Sequence, residues 1–391
     1  MLSEATNAPS STQPWAKPRA SDTSMSLARL ISEELAPQVM DIDLKGHYPE
    51  IFLRRLGETQ GFGGAVSPAF GGTGEGLGSV IAQMEAVSGE CLSTGFLIWC
   101  QSSCVWYLDN SDNPFLKHEI LPKLCKGALI GGTALSNLLK SRSGIEALRL
   151  NARAVPGGYR INGTLPWVSN IGRDHVFAIA ATLDGGNTTL MGLVRGDAEG
   201  LTLRQNAHFV ALEGTATMAC QFQDVFLPQE MVICEPEHFE AYFNRIRGGL
   251  ILAQMGMGLG LAKACVQLMK EANTKLYHVN RYLDDQVEDI EAALILARQR
   301  TYALARQIDR QRDGGGVMEI LELRIAGSEL ALRAAQAAML HMGAKGYLLR
   351  NPAQRRLREA YFVAIVSPAL KHLKKELHAL TGQDLASSGV A

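Results

Sequence analysis

Near the middle of the chain, Trp167-Val168-Ser169-Asn170 sets a large aromatic ring beside a small hydroxyl and an amide. An indole offers a flat apolar face. The two polar groups could hydrogen-bond the edge of a planar ligand lying against it. The run ends a segment in which Tyr159 and Ile161 alternate with Arg160 and Asn162, the period of a half-buried strand. Asn162-Gly163 fits a two-residue hairpin turn, because both residues can take positive φ. On these residues alone, an ordinary hairpin with a core tryptophan explains the pattern as well as a ligand wall does.

Other candidate chemistry is thinner. Cys100 and Cys104 lie one helical turn apart and could meet a metal, but no histidine stands at helical spacing, so packing is the preferred reading and no metal is expected. The seven cysteines are odd in number and contain no Cys-x-x-Cys, which fits reduced thiols in a cytoplasmic protein. The glycine-rich stretch from Gly61 to Gly76 lacks a following Lys-Ser/Thr and lies between helical patterns, so it does not read as a phosphate loop.

The elements that must position these groups fall into three zones. At 391 residues, two or three domains are expected. Residues 1–25 read as a disordered arm without the apolar core of a signal peptide. Residues 26–130 read as helical. In 131–232 the period switches to two, which predicts a small β-barrel or sandwich. Residues 233–385 return to long apolar-periodic helices at 247–278, 286–312, 316–341 and 367–381, a four-helix bundle. The class is therefore α+β. Gly256, Gly258 and Gly260 inside the first long helix predict close backbone approach. The apolar run from Gly248 to Ala264 is interrupted by Gln254 and reads as a buried helix rather than a membrane span. A formal net charge of -1 suggests neither nucleic acid nor an anionic membrane as partner.

Motifs in order give this layout a family resemblance. They are Val66-Ser67-Pro68-Ala69-Phe70-Gly71-Gly72, Leu121-Pro122-Lys123-Leu124-Cys125-Lys126-Gly127, Ala134-Leu135-Ser136, the Trp167 strand, Phe222-Gln223-Asp224-Val225-Phe226-Leu227-Pro228 and Gly343-Ala344-Lys345-Gly346-Tyr347. Together they resemble the acyl-CoA dehydrogenase superfamily over residues 27 to 381. The resemblance implies an oxidoreductase that binds FAD. It implies flavin contacts from Thr133, Ala134, Leu135, Ser136, Trp167, Val168 and Ser169. It also implies approach of Gly343 and Gly346 to the pyrophosphate of a neighbouring subunit, and so a homodimer or homotetramer.

The departures from the family bear on function. Dehydrogenation of an acyl thioester needs a carboxylate to remove the α-proton while hydride leaves to the flavin. Counting on from Arg358-Glu359-Ala360, Ser367 occupies the usual glutamate position, so the catalytic base is unknown. Gly249-Leu250-Ile251-Leu252, where some members carry the base, holds no carboxylate. The family's flavin and thioester loop is replaced by Asn137 to Ser143. There Lys140 and Arg142 either meet an anionic substrate or belong to a solvated loop. Arg245 and Arg247 lie a turn before the family's substrate-side arginine position. The family's Arg-x-x-Phe-Gly is absent, with Arg281 two residues out of register, which leaves FMN as an alternative flavin. Glu213 stands at a family arginine position, as a surface ion pair or a displaced carboxylate. Three readings follow: a dehydrogenase-type enzyme on an acyl thioester or related acyl substrate with a non-standard base, a two-component flavin monooxygenase, or a non-catalytic flavin-binding member. An electron-transfer or flavin-reductase partner accompanies the first two.

Overall fold

The computed structural model describes residues 26–59, 61–186, 188–311 and 316–382. The expected arm at 1–25 and residues 383–385 lie outside them. Ser26 opens the described chain as a helix cap, its hydroxyl accepting from the Arg29 amide at 3.3 Å. The α-helices before the first strand are α1 (Leu27–Leu30), α2 (Val39–Lys45), α3 (Glu50–Thr59), α4 (Leu77–Glu90), α5 (Leu92–Asp109) and α6 (Leu121–Cys125). Helix α5 has no polar face and is buried from Leu92 through Val105, the signature of a core helix. Its polar side chains serve as connectors. Gln101 donates to the Leu124 and Leu129 carbonyls at 2.9 and 3.0 Å and accepts from the Gly131 amide at 2.6 Å. One buried side chain thereby fixes the start of the sheet.

The middle of the chain holds β1 (Gly131–Thr133), α7 (Ser136–Arg142), β2 (Leu150–Val155), β3 (Gly158–Val168), β4 (Val176–Leu183), β5 (Thr189–Arg195), β6 (Leu201–Arg204), β7 (Met218–Pro228) and β8 (Val232–Cys234). They form one sheet in the order β6-β7-β3-β2-β4-β5-β8, with β1 added beside β4. Strands β1 and β2 run parallel to β4, and the other pairs are antiparallel. The sheet curls over, since a Cβ on Gly192 of β5 would lie 2.4 Å from Leu227 of β7, well along the strand order. This is the small closed β layer expected.

The expected turn at Asn162-Gly163 is not a turn. Strand β3 runs through both residues, and the hairpin closes at Pro156-Gly157. The pairing of β3 with β7 shifts register between Ile161 and Gly163, and Asn162 Oδ1 accepts from the Asp224 amide at 2.8 Å. Gly163 has φ +132°, and a Cβ there would sit 2.2 Å from the Arg149 carbonyl oxygen. The glycine serves a bulge, where positive φ is as useful as in a turn.

Helices α8 (Phe239–Ala253) and α9 (Met255–Asn280) form one long rod interrupted at Gln254, followed by α10 (Val287–Gln311), α11 (Val317–Met342), α12 (Pro352–Ile365) and α13 (Leu370–Thr381). The segment Pro236–Asn280 is long and apolar enough to cross a membrane, yet its most apolar window is 89% buried inside the fold, so it is a core helix. Close approach explains two of its glycines. A Cβ on Gly256 would lie 2.9 Å from Ile81 O, and one on Gly260 would lie 2.3 Å from Glu85 O, both on α4. The bundle has one more member than the sequence periods suggested. Helix α12, capped by Asn351 (Ala353 N to Oδ1, 2.9 Å), packs on α9 and α11, and α13 packs on α11. Its inward charges, Arg355, Arg356 and Glu359, hid it from an apolar-period reading. They pair with one another at 3.2 and 2.9 Å while buried.

Candidate functional site

The strand ends converge where the flavin contacts were expected. β1 lies along β4, and the Ala134 amide extends that pairing by donating to Ala178 O at 2.9 Å. Thr133 forms an antiparallel bridge to Ser169. The segment 133–136 therefore lies beside the Trp167–Ser169 strand end. Trp167 is not a core residue. It is 59% exposed and meets Phe209 edge to face at 6.4 Å. Ala134, Leu135 and Val168 are buried beneath it.

Three hydroxyls stand on these adjoining segments, each with one side-chain partner. Thr133 Oγ1 meets the Tyr107 hydroxyl of α5 at 3.0 Å. Burial pushes the Tyr107 phenol well up, which keeps it neutral. Ser169 Oγ meets Thr217 Oγ1 at 2.7 Å. Ser136 Oγ meets Ser367 Oγ at 2.8 Å. A hydroxyl has one donor and two acceptor sites, so all three keep capacity for a ligand. An exposed indole with hydroxyls on the adjoining segments has the chemistry that a planar, hydrogen-bonding ring system would use. Asn170 does not take the ligand-facing role expected of it. It is fully buried at φ 59°, where it accepts from the Tyr48 hydroxyl at 2.6 Å and donates to Gly131 O at 2.8 Å.

Ser367 lies in the link between α12 and α13, ahead of the helix in which it was expected. Its hydroxyl faces Ser136 rather than a carboxylate or imidazole, so nothing there makes it a base. Its carbonyl accepts from Gln254 Nε2 at 2.9 Å, and Gln254 Oε1 accepts from Arg324 Nε at 3.0 Å. The sequence marks Gln254 only as a break in an apolar helix and does not single out Arg324. A glutamine interrupting a long apolar helix was the available signal.

The replaced loop is helix α7, and its cations are occupied. Arg142 makes a bidentate pair with Glu240 at 2.6 and 2.7 Å over the Phe243 ring, and Lys140 pairs with Glu146 at 3.6 Å. Arg245 donates to Asn110 O at 2.6 Å, and Arg247 pairs with Glu376 at 2.8 Å. Glu376 also accepts from Ser143 Oγ, and it lies 3.2 Å from His372 Nε2. Burial would raise its carboxyl. The hydrogen bonds from His372 and Ser143 and the charge of Arg247 outweigh that and hold it at about 2. Such a carboxylate is a poor base. Glu213 is also structural, accepting from the Phe209 amide within its own loop.

The Gly249–Leu250 stretch borders an apolar cavity of about 20 Å³ between α4, α5 and α8, walled by Trp106 and Ala253 among others. Trp106 and Trp99 fill the space beside it, donating to Ile246 O at 3.0 Å and Leu250 O at 3.3 Å. The turn at Gly343–Tyr347 packs on α11 and α12 of its own chain. A Cβ on Gly343 would meet nothing within 4 Å. One on Gly346 would lie 2.9 Å from Met339 and Met342, so packing within the chain already accounts for that glycine. Cys100 and Cys104 are buried core thiols, and burial pushes Cys104 up to about 12. Among the described residues no cluster of histidine, cysteine and carboxylate side chains is placed to hold a metal.

Comparison with known proteins agrees with this architecture. Residues 20–128 match the acyl-CoA dehydrogenase N-terminal domain, and residues 239–367 match the acyl-CoA dehydrogenase C-terminal domain. The chain belongs to the acyl-CoA dehydrogenase superfamily. Its acyl-CoA dehydrogenase homologues are oxidoreductases acting on CH–CH groups, and FAD is the cofactor the family supports. The mitochondrial isovaleryl-CoA dehydrogenase of Oryza sativa subsp. japonica is 26% identical, over 86% of this chain and 84% of its own. The probable acyl-CoA dehydrogenase YngJ of Bacillus subtilis (strain 168) is 24% identical, over 85% and 90%. Two solved structures share the fold at 20% identity. A glutaryl-coenzyme A dehydrogenase glutaryl-CoA complex superposes with a TM-score of 0.82, covering 91% of this chain and 94% of its own. An FAD complex of PigA gives 0.76, covering 91% and 95%.

Proposed function

We propose that this chain binds FAD at the Trp167 face and oxidises a small acyl thioester or related acyl substrate, using a base other than the family's glutamate. The observation that carries the reading is the exposed indole with the Thr133, Ser136 and Ser169 hydroxyls on the adjoining segments. Apolar contact with Trp167 stabilises a planar ring, and a few placed donors fix its orientation. Bound FAD would supply the two-electron acceptor. The names of the relatives, isovaleryl-CoA and glutaryl-CoA dehydrogenase, support the thioester class.

A homodimer or homotetramer is part of the proposal. Exposed Tyr347, Leu348 and Leu349 follow the open Gly343 turn and form an apolar patch suited to a second subunit. Seven buried, unpaired thiols support a reducing, cytoplasmic setting.

The test is the flavin content of purified protein, followed by anaerobic titration with a series of acyl-CoA thioesters. Loss of flavin absorbance with a short-chain member is expected. A flavin-replete protein bleached by none of them defeats the dehydrogenase reading. One observation favours a second reading in that event. Ser367 meets a serine where α-proton removal needs a carboxylate, which suits oxygen chemistry fed by a flavin reductase, or flavin binding without turnover. Substrate oxygenation on supplying reduced flavin and oxygen separates those two.

A further inference from the structure

Arg324 on α11 is 1% exposed and sits among neutral partners only. Its Nε donates to Gln254 Oε1 at 3.0 Å, its Nη2 to Val363 O at 2.7 Å, and its Nη1 to Ser328 Oγ. Burial brings the guanidinium down to about 10, and no carboxylate offsets it. It is still charged at neutral pH. Burying a cation without a counter-ion is costly, and an apolar side chain of similar volume is often at least as stable. The chain's other deeply buried arginines are treated differently. Arg355 and Arg356 share Glu359 at 3.2 and 2.9 Å. Arg324 therefore stands out as a buried charge still lacking its anion.

The hydrogen bonds point in one direction. From Arg324 the path runs through the Gln254 amide to the Ser367 carbonyl at 2.9 Å, and the Ser367 hydroxyl meets at 2.8 Å the hydroxyl of Ser136, on the segment beside the Trp167 strand end. Gln254 is itself fully buried, at the break between α8 and α9. We infer that Arg324 is a positioning residue whose uncompensated charge, applied through Gln254 and Ser367, favours a negatively charged ring beside Ser136 and so eases reduction of the bound flavin. At an effective dielectric near 20, a unit charge acting over about 10 Å changes an equilibrium constant by on the order of tenfold, which sets the scale of the effect. This rests on the flavin reading above.

The experiment equilibrates flavin-loaded protein with a redox dye under anaerobic conditions and reads the two-electron reduction constant. Four variants are compared with the parent: R324K keeps the charge, R324Q keeps polar contacts without it, R324M removes both, and Q254E places a carboxylate against the guanidinium. R324K is expected to stay within about threefold of the parent. R324Q, R324M and Q254E are expected to fall about tenfold, equivalent to about 30 mV for two electrons. Flavin-loaded R324Q and R324M that match the parent overturn the inference and leave the flavin reading standing. So does an R324K that falls as far as R324Q, since geometry rather than charge would then be responsible. If the neutral variants do not fold, Q254E decides: an unchanged constant refutes the inference and a tenfold fall supports it. A parent protein that binds no flavin defeats the flavin reading itself, and the inference with it.

Discussion

The Glu376 cluster makes the sharpest quantitative prediction. Its carboxylate ties α13 to α7 and α8 through His372, Ser143 and Arg247, with 16% of the side chain exposed. The folded carboxyl titrates at about 2, against an ordinary 4.5. A carboxyl held low when folded binds its proton more readily when unfolded. Its contribution is therefore fully present above pH 4.5 and is lost as the pH falls toward 2. At about 1.4 kcal/mol per tenfold change the full gap is about 3.5 kcal/mol, and solvent screening of this partly exposed group reduces it to roughly 2–3 kcal/mol at pH 7. Glu376→Gln should reduce the opening free energy of α13 by that amount at pH 7, and by less than half of it at pH 3. Hydrogen exchange of the α13 amides, corrected for intrinsic rates, measures this locally without assuming that the whole chain unfolds in one step. A variant within about 0.5 kcal/mol of the parent at pH 7, or a deficit as large at pH 3 as at pH 7, refutes the reasoning.

Other consequences are as concrete. Ser367→Glu should place a carboxylate beside Ser136, and anaerobic acyl-CoA should then bleach the flavin faster than in the parent; equal rates count against Ser367 standing at the base position. Ser367→Ala removes the partner of the Ser136 hydroxyl and should leave flavin content unchanged, as checked by absorbance. Gly163→Ala forces an unfavourable φ and a contact with Arg149 O, which should cost roughly 1–3 kcal/mol in urea unfolding. Trp106→Ala should enlarge the 20 Å³ cavity and cost about 3–5 kcal/mol; a cost under 1 kcal/mol would show that the ring is not packed as described.

The family and the placing of helices and strands were legible because they rest on local signals: motifs in order and changes of period. The Trp167 strand end was legible for the same reason. Asn162-Gly163 misled because positive φ serves a bulge as well as a turn, and only pairing with β7 tells them apart. Residues 137–143 looked like a loop by comparison with the family's glycine-rich segment. The chain's own Leu138, Leu139 and Lys140 are good helix formers, and α7 is the result. Arg324, Gln254 and Ser367 could not be assembled from sequence. They lie on one helix, at one helix break and in one interhelical link, and a hydrogen-bonded partner far along the chain leaves no periodic trace.

Helix α5, buried on every side, bears on how the molecule comes into being. It packs on α4 before it, on α6 and β1 just after it, and on α8 and α9 from far down the chain. A newly made chain emerging only through the strands would present this helix without the cover that α8 and α9 supply. The N-terminal helices therefore wait for the C-terminal ones, and a polypeptide stopped at the end of the sheet should be held by chaperones or degraded rather than accumulate as a stable piece.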